Sequence, residues 1–282
     1  LDAGVGYDSY SWSTGETTQT IEVTESGTYG VDVVNGNINN YSMNFDGNNE
    51  VSIPNFGSLE DFSISFWTRI SPGNQNGRIV DYDGGDSGSD TCSEQDGAGC
   101  NDYWSIQVNS NGTIKVHLRN GNNETMELET IDSYDDNLWH HVSYVRNGEE
   151  NTIYIDGVLS NSMNHESFLI SHDQDFYIGF TDYNGAASSQ HFIGDIDELA
   201  IWNSSLNSEE IQEYINCPSI GNEDNLIGYW NFEEGPNEGQ VIDLSGNGNN
   251  GTINGATYNE ETPEQSCPSC SDSDEINVTF SV

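Results

Sequence analysis

The sequence predicts an all-β protein, a two-sheet sandwich with one short helix, and three observations carry that expectation. Short runs of alternating apolar and polar residues recur along the chain. Turn residues punctuate them, supplied by 30 Gly and abundant Asn. Only one stretch has helical spacing. Alternation with period two marks strands that bury one face, and Asn-Gly or Asp-Gly pairs mark the tight hairpins that join them.

Along the first 35 residues, Tyr10–Trp12, Thr20–Thr24 and Gly27–Val33 read as strands, with Ile21 and Val23, and Tyr29, Val31 and Val33, alternating. Strand-like runs then follow at Tyr41–Phe45, Ser63–Arg69, Ile79–Tyr82, Trp104–Val108, Thr113–Leu118, His140–Arg146, Thr152–Ile155, Phe176–Phe180 and Glu198–Trp202. Hairpin turns are expected at Asn111-Gly112, Asn147-Gly148 and Asp156-Gly157. The helix signal is Asn207–Ile215, where a capping residue and first-turn acids precede apolar Ile211, Tyr214 and Ile215. Many strands and one helix leave a sandwich as the way to bury the apolar faces.

Composition narrows the function. Five Lys and Arg stand against 48 Asp and Glu, a net charge of −43. Such a chain repels phosphate backbones and anionic headgroups, so nucleic acid and acidic membranes are poor partners. The apolar fraction is only 33%, yet 11% of the residues are aromatic, which disordered acidic chains lack. No run approaches the roughly 20 apolar residues a membrane-spanning helix needs, so no membrane insertion is expected. The chain opens in mid-pattern at Leu1, as expected of a piece of something longer.

Five cysteines invite two readings. Cys92 with Cys100, and Cys217 with Cys267, can close disulfide loops, leaving Cys270 to pair elsewhere. A zinc site at Cys267-Pro-Ser-Cys270 would need a second soft pair, and none is evident in the sequence. Disulfides are the preferred reading, and they place the chain in an oxidising, extracytoplasmic setting.

Blocks in order along the middle of the chain resemble the laminin-G-like, concanavalin A-like jelly-roll family. They are Met43-Asn-Phe-Asp-Gly to Val51-Ser-Ile-Pro54, Phe62–Thr68, Trp139–Val145 with Ile153–Gly157, and Gly194–Trp202 with Leu206–Ile211. The resemblance covers about residues 37–262 and implies a jelly-roll fold. One segment is out of order. Gly228–Phe232 with Asp243–Tyr258 matches the family's opening strands but follows its closing helix, which implies a circular permutation with residues 217–262 supplying those strands. Residues 1–36 resemble the second half of an immunoglobulin-like repeat of secreted Bacteroidetes surface proteins. Residues 263–282 resemble a linker and the start of a following β repeat, so neighbouring repeats of one long chain are expected.

The family resemblance implies a calcium ion that ties the Asp-x-Ser-Gly-Asn-Gly-Asn loop to the closing strand. On this sequence that nominates Asp197, Asp243, Asn247 and Asn249, with Asp195 beside them. The competing reading makes residues 245–251 a plain turn, with Asp243 bonded to its own backbone. A second acidic run with Asp81, Asp83, Asp86 and Asp90 has calcium-like ligand types at irregular spacing, set against a solvated insertion.

Tyr103, Trp104, Tyr134 and Tyr183 lie on or beside loops and are candidates for stacking on sugar rings, whereas Trp67, Trp139, Trp202 and Trp230 read as core. The segments around 81–103 and 181–191 would shape the ligand face. Related jelly rolls with glycosidase activity carry a Glu-x-Asp-x-Glu strand. Here Gly194–Leu199 puts Leu199 at the third acid position, and alternation sends Asp195 and Asp197 to one face and Glu198 to the other, so no catalytic residue is assigned. The expectation is a secreted or cell-surface, calcium-supported adhesion module that binds a glycan or cell-surface polysaccharide. The rival is a structural spacer, which has no need of aromatic side chains gathered on an exposed face.

Overall fold

The computed structural model describes residues 1–3, 9–34, 39–73, 76–83, 103–119, 124–170, 175–180, 190–236, 239–265 and 272–278. Its strands are β1 (Ser9–Trp12), β2 (Gly27–Val34), β3 (Ser42–Asp46), β4 (Glu50–Ile53), β5 (Phe62–Ile70), β6 (Arg78–Asp83), β7 (Tyr103–Val108), β8 (Ile114–Arg119), β9 (Thr125–Glu129) and β10 (Trp139–Asn147). They continue as β11 (Glu150–Ile155), β12 (Val158–Asn164), β13 (Phe176–Ile178), β14 (Ile193–Trp202), β15 (Leu226–Trp230), β16 (Gln240–Val241), β17 (Gly251–Asn254), β18 (Thr257–Asn259) and β19 (Asp272–Val278), with α1 (Ser208–Asn216) between β14 and β15. No helix among them is long and apolar enough to cross a membrane.

The chain forms two units, residues 1–38 with 265–282, and residues 39–264. In the first, β1, β2 and β19 make a three-stranded sheet around Trp12, Ile21 and Val31. The last strand was expected to open a separate repeat; it instead pairs along the whole of β2 from Asp272↔Val33 to Val278↔Gly27. Both ends of the chain therefore contribute to one sheet.

The second unit is a sandwich of two antiparallel sheets. The first sheet runs β12-β11-β10-β5-β14-β3-β18, with β15 also paired to β14, and the second runs β16-β17-β4-β13-β6-β7-β8-β9. Apolar side chains from both sheets interdigitate between them, with Phe45, Phe62, Phe66, Trp104, Phe176 and Trp230 among the fully buried ones. Phe62 and Trp104, from opposite sheets, lie 5.2 Å apart between ring centroids. Alternation is clearest in β8, where Ile114, Val116 and Leu118 are buried and Lys115, His117 and Arg119 are half-buried on the outer side. Asp156 and Gly157, at φ 51° and 75°, make the left-handed pair of a two-residue hairpin between β11 and β12.

The segment that the sequence placed out of order returns to the same sandwich. β15 pairs with β14, β17 with β4 and β18 with β3. The helix follows its capping signal. Asn207 Oδ1 accepts from the Glu209 and Glu210 backbone N–H groups at 2.9 and 3.1 Å, and Glu210 accepts from the Asn207 N–H at 2.7 Å. It lays Ile211, Tyr214 and Ile215 over Trp202, Ala200, Val145, Leu226 and Tyr229, a second apolar layer outside the first sheet. That layer explains why β14 is buried on both faces.

Candidate functional site

The central strand β14 changes partners part-way along one edge. β3 pairs with Ile193–Ile196, and β15 pairs with Leu199–Trp202. At the changeover the register against β5 slips by one residue, and Glu198 sits at φ 51°, a left-handed conformation unusual for a non-glycine residue. This bulge overturns the expectation from simple alternation that Glu198 leaves the face of Asp197. The Glu198 carboxylate instead accepts from the hydroxyl of Tyr229, a member of the outer apolar layer.

Three segments meet at the changeover. Asn39 Nδ2 donates to Asp197 Oδ2 at 2.9 Å, and the Glu233 carboxylate accepts from the Asn40 and Tyr41 N–H groups, each at 2.8 Å. Asp197 is fully buried and Glu198 is 7% exposed. Burial raises the pKa of Asp197 well above the usual carboxylate range, with the neighbouring Glu198 charge adding to it. Burial likewise lifts Glu198 to about 8, against a lowering bond from Tyr229 and with help from Glu233. Asn39 Oδ1 is buried here without a hydrogen-bond partner. Unprotonated, these groups form a desolvated pocket of negative charge with an oxygen acceptor to spare.

Beside this gap, still on the outer side of the first sheet, lies a cleft of about 680 Å³ lined by Trp67, Arg69, Leu138, Trp139 and Glu261, with Glu260, Thr262 and Glu264 among its other walls. Arg69 spans it. Its guanidinium pairs with Asp195 at 2.8 Å, contacts Glu261 and lies 5.6 Å from the Trp139 ring centroid.

The outer side of the second sheet is built differently. The pairing register aligns Thr252, Ser52, Tyr177, Asp81, Ser105, His117 and Glu127 in one row across seven strands. A neighbouring row joins Arg78, Gln107, Lys115 and Glu129, and Tyr103 pairs with Arg119. Every one of these residues is polar or aromatic, and no helix covers them among the described residues. Arg78 bonds Asp81, Gln190 and Ser105. The Tyr103 hydroxyl lies 2.8 Å from His117 Nε2, and the guanidinium carbons of Arg119 and Arg78 lie 4.7 and 5.9 Å from the Tyr103 ring centroid. Burial lowers the His117 pKa to about 4, so the ring is neutral and serves as a hydrogen-bonding group.

A family model of the concanavalin A-like lectin/glucanases superfamily, of the laminin G type, matches residues 45–212. The chain belongs to this superfamily. Among solved structures, a Bacteroides ovatus protein inferred to bind carbohydrate matches at 14% identity and a TM-score of 0.59, over 85% of this chain and 70% of that one. A heptameric SAP-like pentraxin of Limulus polyphemus matches at 15% identity and a TM-score of 0.52, over 77% of this chain and 96% of that one. At these identities the likeness is one of fold.

Within this lectin/glucanase-type sandwich, the calcium candidates are not all equivalent. Asp243 accepts three backbone N–H bonds, from Tyr229, Ser245 and Asn249, at 2.9 to 3.1 Å. The amides of Asn247 and Asn249 donate to the carbonyls of Leu226 and Ile227. These three residues make the hydrogen-bonded turn of the competing reading, fastening residues 243–249 to β15. Asp195 is held by Arg69, Asn44 and Asn259. Asp197 alone of the set faces the oxygen-rich gap, and its companions there, Asn39, Glu198 and Glu233, were not foreseen. The sequence signal for them was available in the paired acids of Asp197-Glu198 and Glu233-Glu234. Among the described residues no three Asp, Glu, His or Cys side chains converge as a metal site. An ion in the gap would therefore draw part of its shell from amide and backbone oxygens, as calcium does.

Asp81 of the second acidic run is a buried strand residue paired with Arg78, not part of an open loop. Asp83 ends β6, and Asp86 and Asp90 lie outside the described residues. Of the stacking candidates, Trp104 is fully buried against Phe62, Tyr82 and Phe176 and has no face left for a sugar. Tyr103 is 8% exposed beneath its two guanidiniums and positions them instead of offering its own ring. Tyr134 is half-buried beside His140, and Tyr183 lies outside the described residues. Trp202 and Trp230 are core as expected, while Trp139 lines the cleft. Cys217 is disulfide-bonded; Cys92, Cys100, Cys267 and Cys270 lie outside the described residues.

Proposed function

We propose that residues 39–264 form a non-catalytic, calcium-supported glycan-binding module of an extracellular adhesin, with the saccharide on the outer side of the second sheet. The observation that carries this reading is the polar register row from Thr252 to Glu127, flanked by Arg78, Lys115 and Arg119. A sheet with one face on the core and the other needed only for solvation has no use for half-buried arginine, histidine and tyrosine side chains bonded to one another. Hydrogen-bonding groups held in place on a rigid sheet are what a saccharide's hydroxyls require. The similarity in fold to the Bacteroides ovatus protein supports this reading.

Calcium belongs in the gap at Asp197. Asn39 Oδ1, Asp197 and its neighbouring carboxylates are hard oxygen donors, and a divalent cation there would neutralise buried charge that otherwise keeps protons. Binding is favoured over hydrolysis because the carboxylates nearest to a hydrolase strand motif are committed. Asp195 is ion-paired, and Asp197 and Glu198 are sealed from solvent. Secretion, surface attachment and repeat neighbours complete the proposal and accord with the −43 charge.

Screening the purified chain on a glycan array in millimolar calcium tests this. Binding that is lost in Tyr177→Ala and Arg119→Gln but kept in Trp139→Ala is the expected outcome, since Trp139 belongs to the cleft of the other sheet. Absence of any glycan binding would move the spacer reading to the front.

A further inference from the structure

We propose that the cleft on the outer side of the first sheet docks a basic peptide segment, one that inserts a lysine or arginine side chain. The proposal is independent of the saccharide reading of the other sheet. At about 680 Å³ the cleft has room for more than one side chain. Trp67 and Arg69, two positions apart on β5, share one side of that strand and line the cleft together. Its walls are pinned by the protein's own hydrogen bonds. On one side the Asn137 N–H donates to the Ile70 carbonyl at 3.1 Å and the Leu138 N–H to Asp136 Oδ1 at 3.0 Å. On the other, Ser42 Oγ donates to the Glu261 carbonyl at 2.8 Å and Thr262 Oγ1 to the Asn39 carbonyl at 3.2 Å.

The lining chemistry selects the occupant. Arg69 is the one cation among the lining residues, and it is committed to Asp195, Glu261 and the Trp139 ring. Glu260 and Glu264 are exposed on the same cleft, with no hydrogen bond or ion pair among the described residues. The open charge is therefore negative, in a chain of net charge −43 that draws cations from a distance. Leu138, 60% exposed, and half-buried Trp139 offer apolar surface for a lysine or arginine stem, while its charged head stays among the carboxylates. One further observation favours a peptide over a simple amine. Trp67 is 8% exposed, and its indole N–H has no hydrogen-bond partner. A buried donor left unpaired costs free energy, and a backbone carbonyl supplies the acceptor that a simple amine lacks.

The test is calorimetric titration of the whole chain, at physiological ionic strength, with the end-blocked peptide Ala-Lys-Ala-Lys-Ala. Its form acetylated on both lysines keeps the stems and removes the charge, and cadaverine carries two ammonium groups and no carbonyl. The lysine peptide is expected to bind tenfold or more tighter than either. Glu260→Gln combined with Glu264→Gln should erase its preference over the acetylated form, and an unchanged melting temperature shows that this loss is not unfolding. Glu149→Gln combined with Glu166→Gln takes the same charge from residues outside the cleft and should leave binding within twofold. If both pairs of substitutions weaken the peptide alike, net charge attracts it and the cleft assignment is overturned. Equal affinity for the acetylated peptide or for cadaverine, or no binding of any of the three, overturns it as well.

Discussion

The two outer faces of the sandwich share one core and have opposite characters. The first sheet's outer side is partly roofed by α1 and its apolar layer, and the carboxylates of its central strand are buried, with Asp195 held by Arg69, Asp197 by Asn39 and Glu198 by Tyr229. The second sheet's outer side carries a row of polar groups, from buried Asp81 and Ser105 to exposed Glu127, and three of the chain's five Lys and Arg. Strand alternation alone does not produce this asymmetry, because both sheets alternate. It comes from what crosses over the top: the helix after β14 returns across its own sheet, and among the described residues no helix lies on the other. One face should therefore govern stability, and the other glycan recognition.

The sharpest way to break that division is Trp202→Ala. Trp202 is 1% exposed and packs against Tyr214 of the helix, 4.8 Å away between ring centroids. Truncation leaves a cavity under α1 and is expected to cost about 3–5 kcal/mol in urea unfolding. Arg119→Gln, on the opposite face, should cost under about 1 kcal/mol. Equal losses would show that both faces are structural, as a spacer requires.

Acid should act through the first face as well. His141 is buried beside Trp67 and bonded to Ser65, and burial lowers its pKa to about 3. The ring is therefore neutral in the fold, whereas the unfolded chain takes up a proton below about pH 6.5. The contribution is complete above that pH and is lost as the pH falls towards 3, at about 1.4 kcal/mol per unit. By pH 4 about 3 kcal/mol should be gone. His141→Gln should flatten that part of the stability–pH curve; an unchanged slope would assign the acid sensitivity to other groups.

The contrast between the faces was only partly legible in the sequence. Strands with one buried side, such as β8 and β10, announce themselves by alternation, and α1 by its cap. β12 does not, because its Val158 and Leu159 are exposed at the sheet edge and Met163 is the one apolar residue it packs against the core. The bulge at Glu198 defeated the face assignment, since one inserted residue reverses every inference drawn from period two. The cationic face lay hidden because residues 78, 115 and 119 are joined only by register. The run Lys115-Val-His117-Leu-Arg119 did carry a trace of it, as cationic and polar side chains alternating with apolar ones.

Calcium sharpens the comparison further. An ion held only by the folded chain stabilises it by about 2.7 kcal/mol at one hundred times its dissociation constant. Thermal melting in millimolar calcium should exceed melting in chelator, and Asp197→Asn should erase the difference. Asp243→Ala should lower both melting temperatures alike, because its bonds to backbone N–H groups persist without an ion. If Asp243→Ala alone removed the calcium effect, the ion would belong to the 243–249 turn and not to the gap beside Asn39.

The smallest effect is the most discriminating. Asn207→Ala removes the bonds from Asn207 Oδ1 to two backbone N–H groups at the start of α1 and should cost about 1 kcal/mol. The helix lies against the first sheet, so a loosened first turn has no direct route to Arg78, Tyr103 or Arg119 on the second. Glycan affinity measured well below the melting temperature should stay within twofold of the parent chain. A larger loss would mean that the core transmits strain from one sheet to the other. Stability and recognition would then be coupled through the packed layer of Phe62, Trp104 and Phe176, and not divided between two faces.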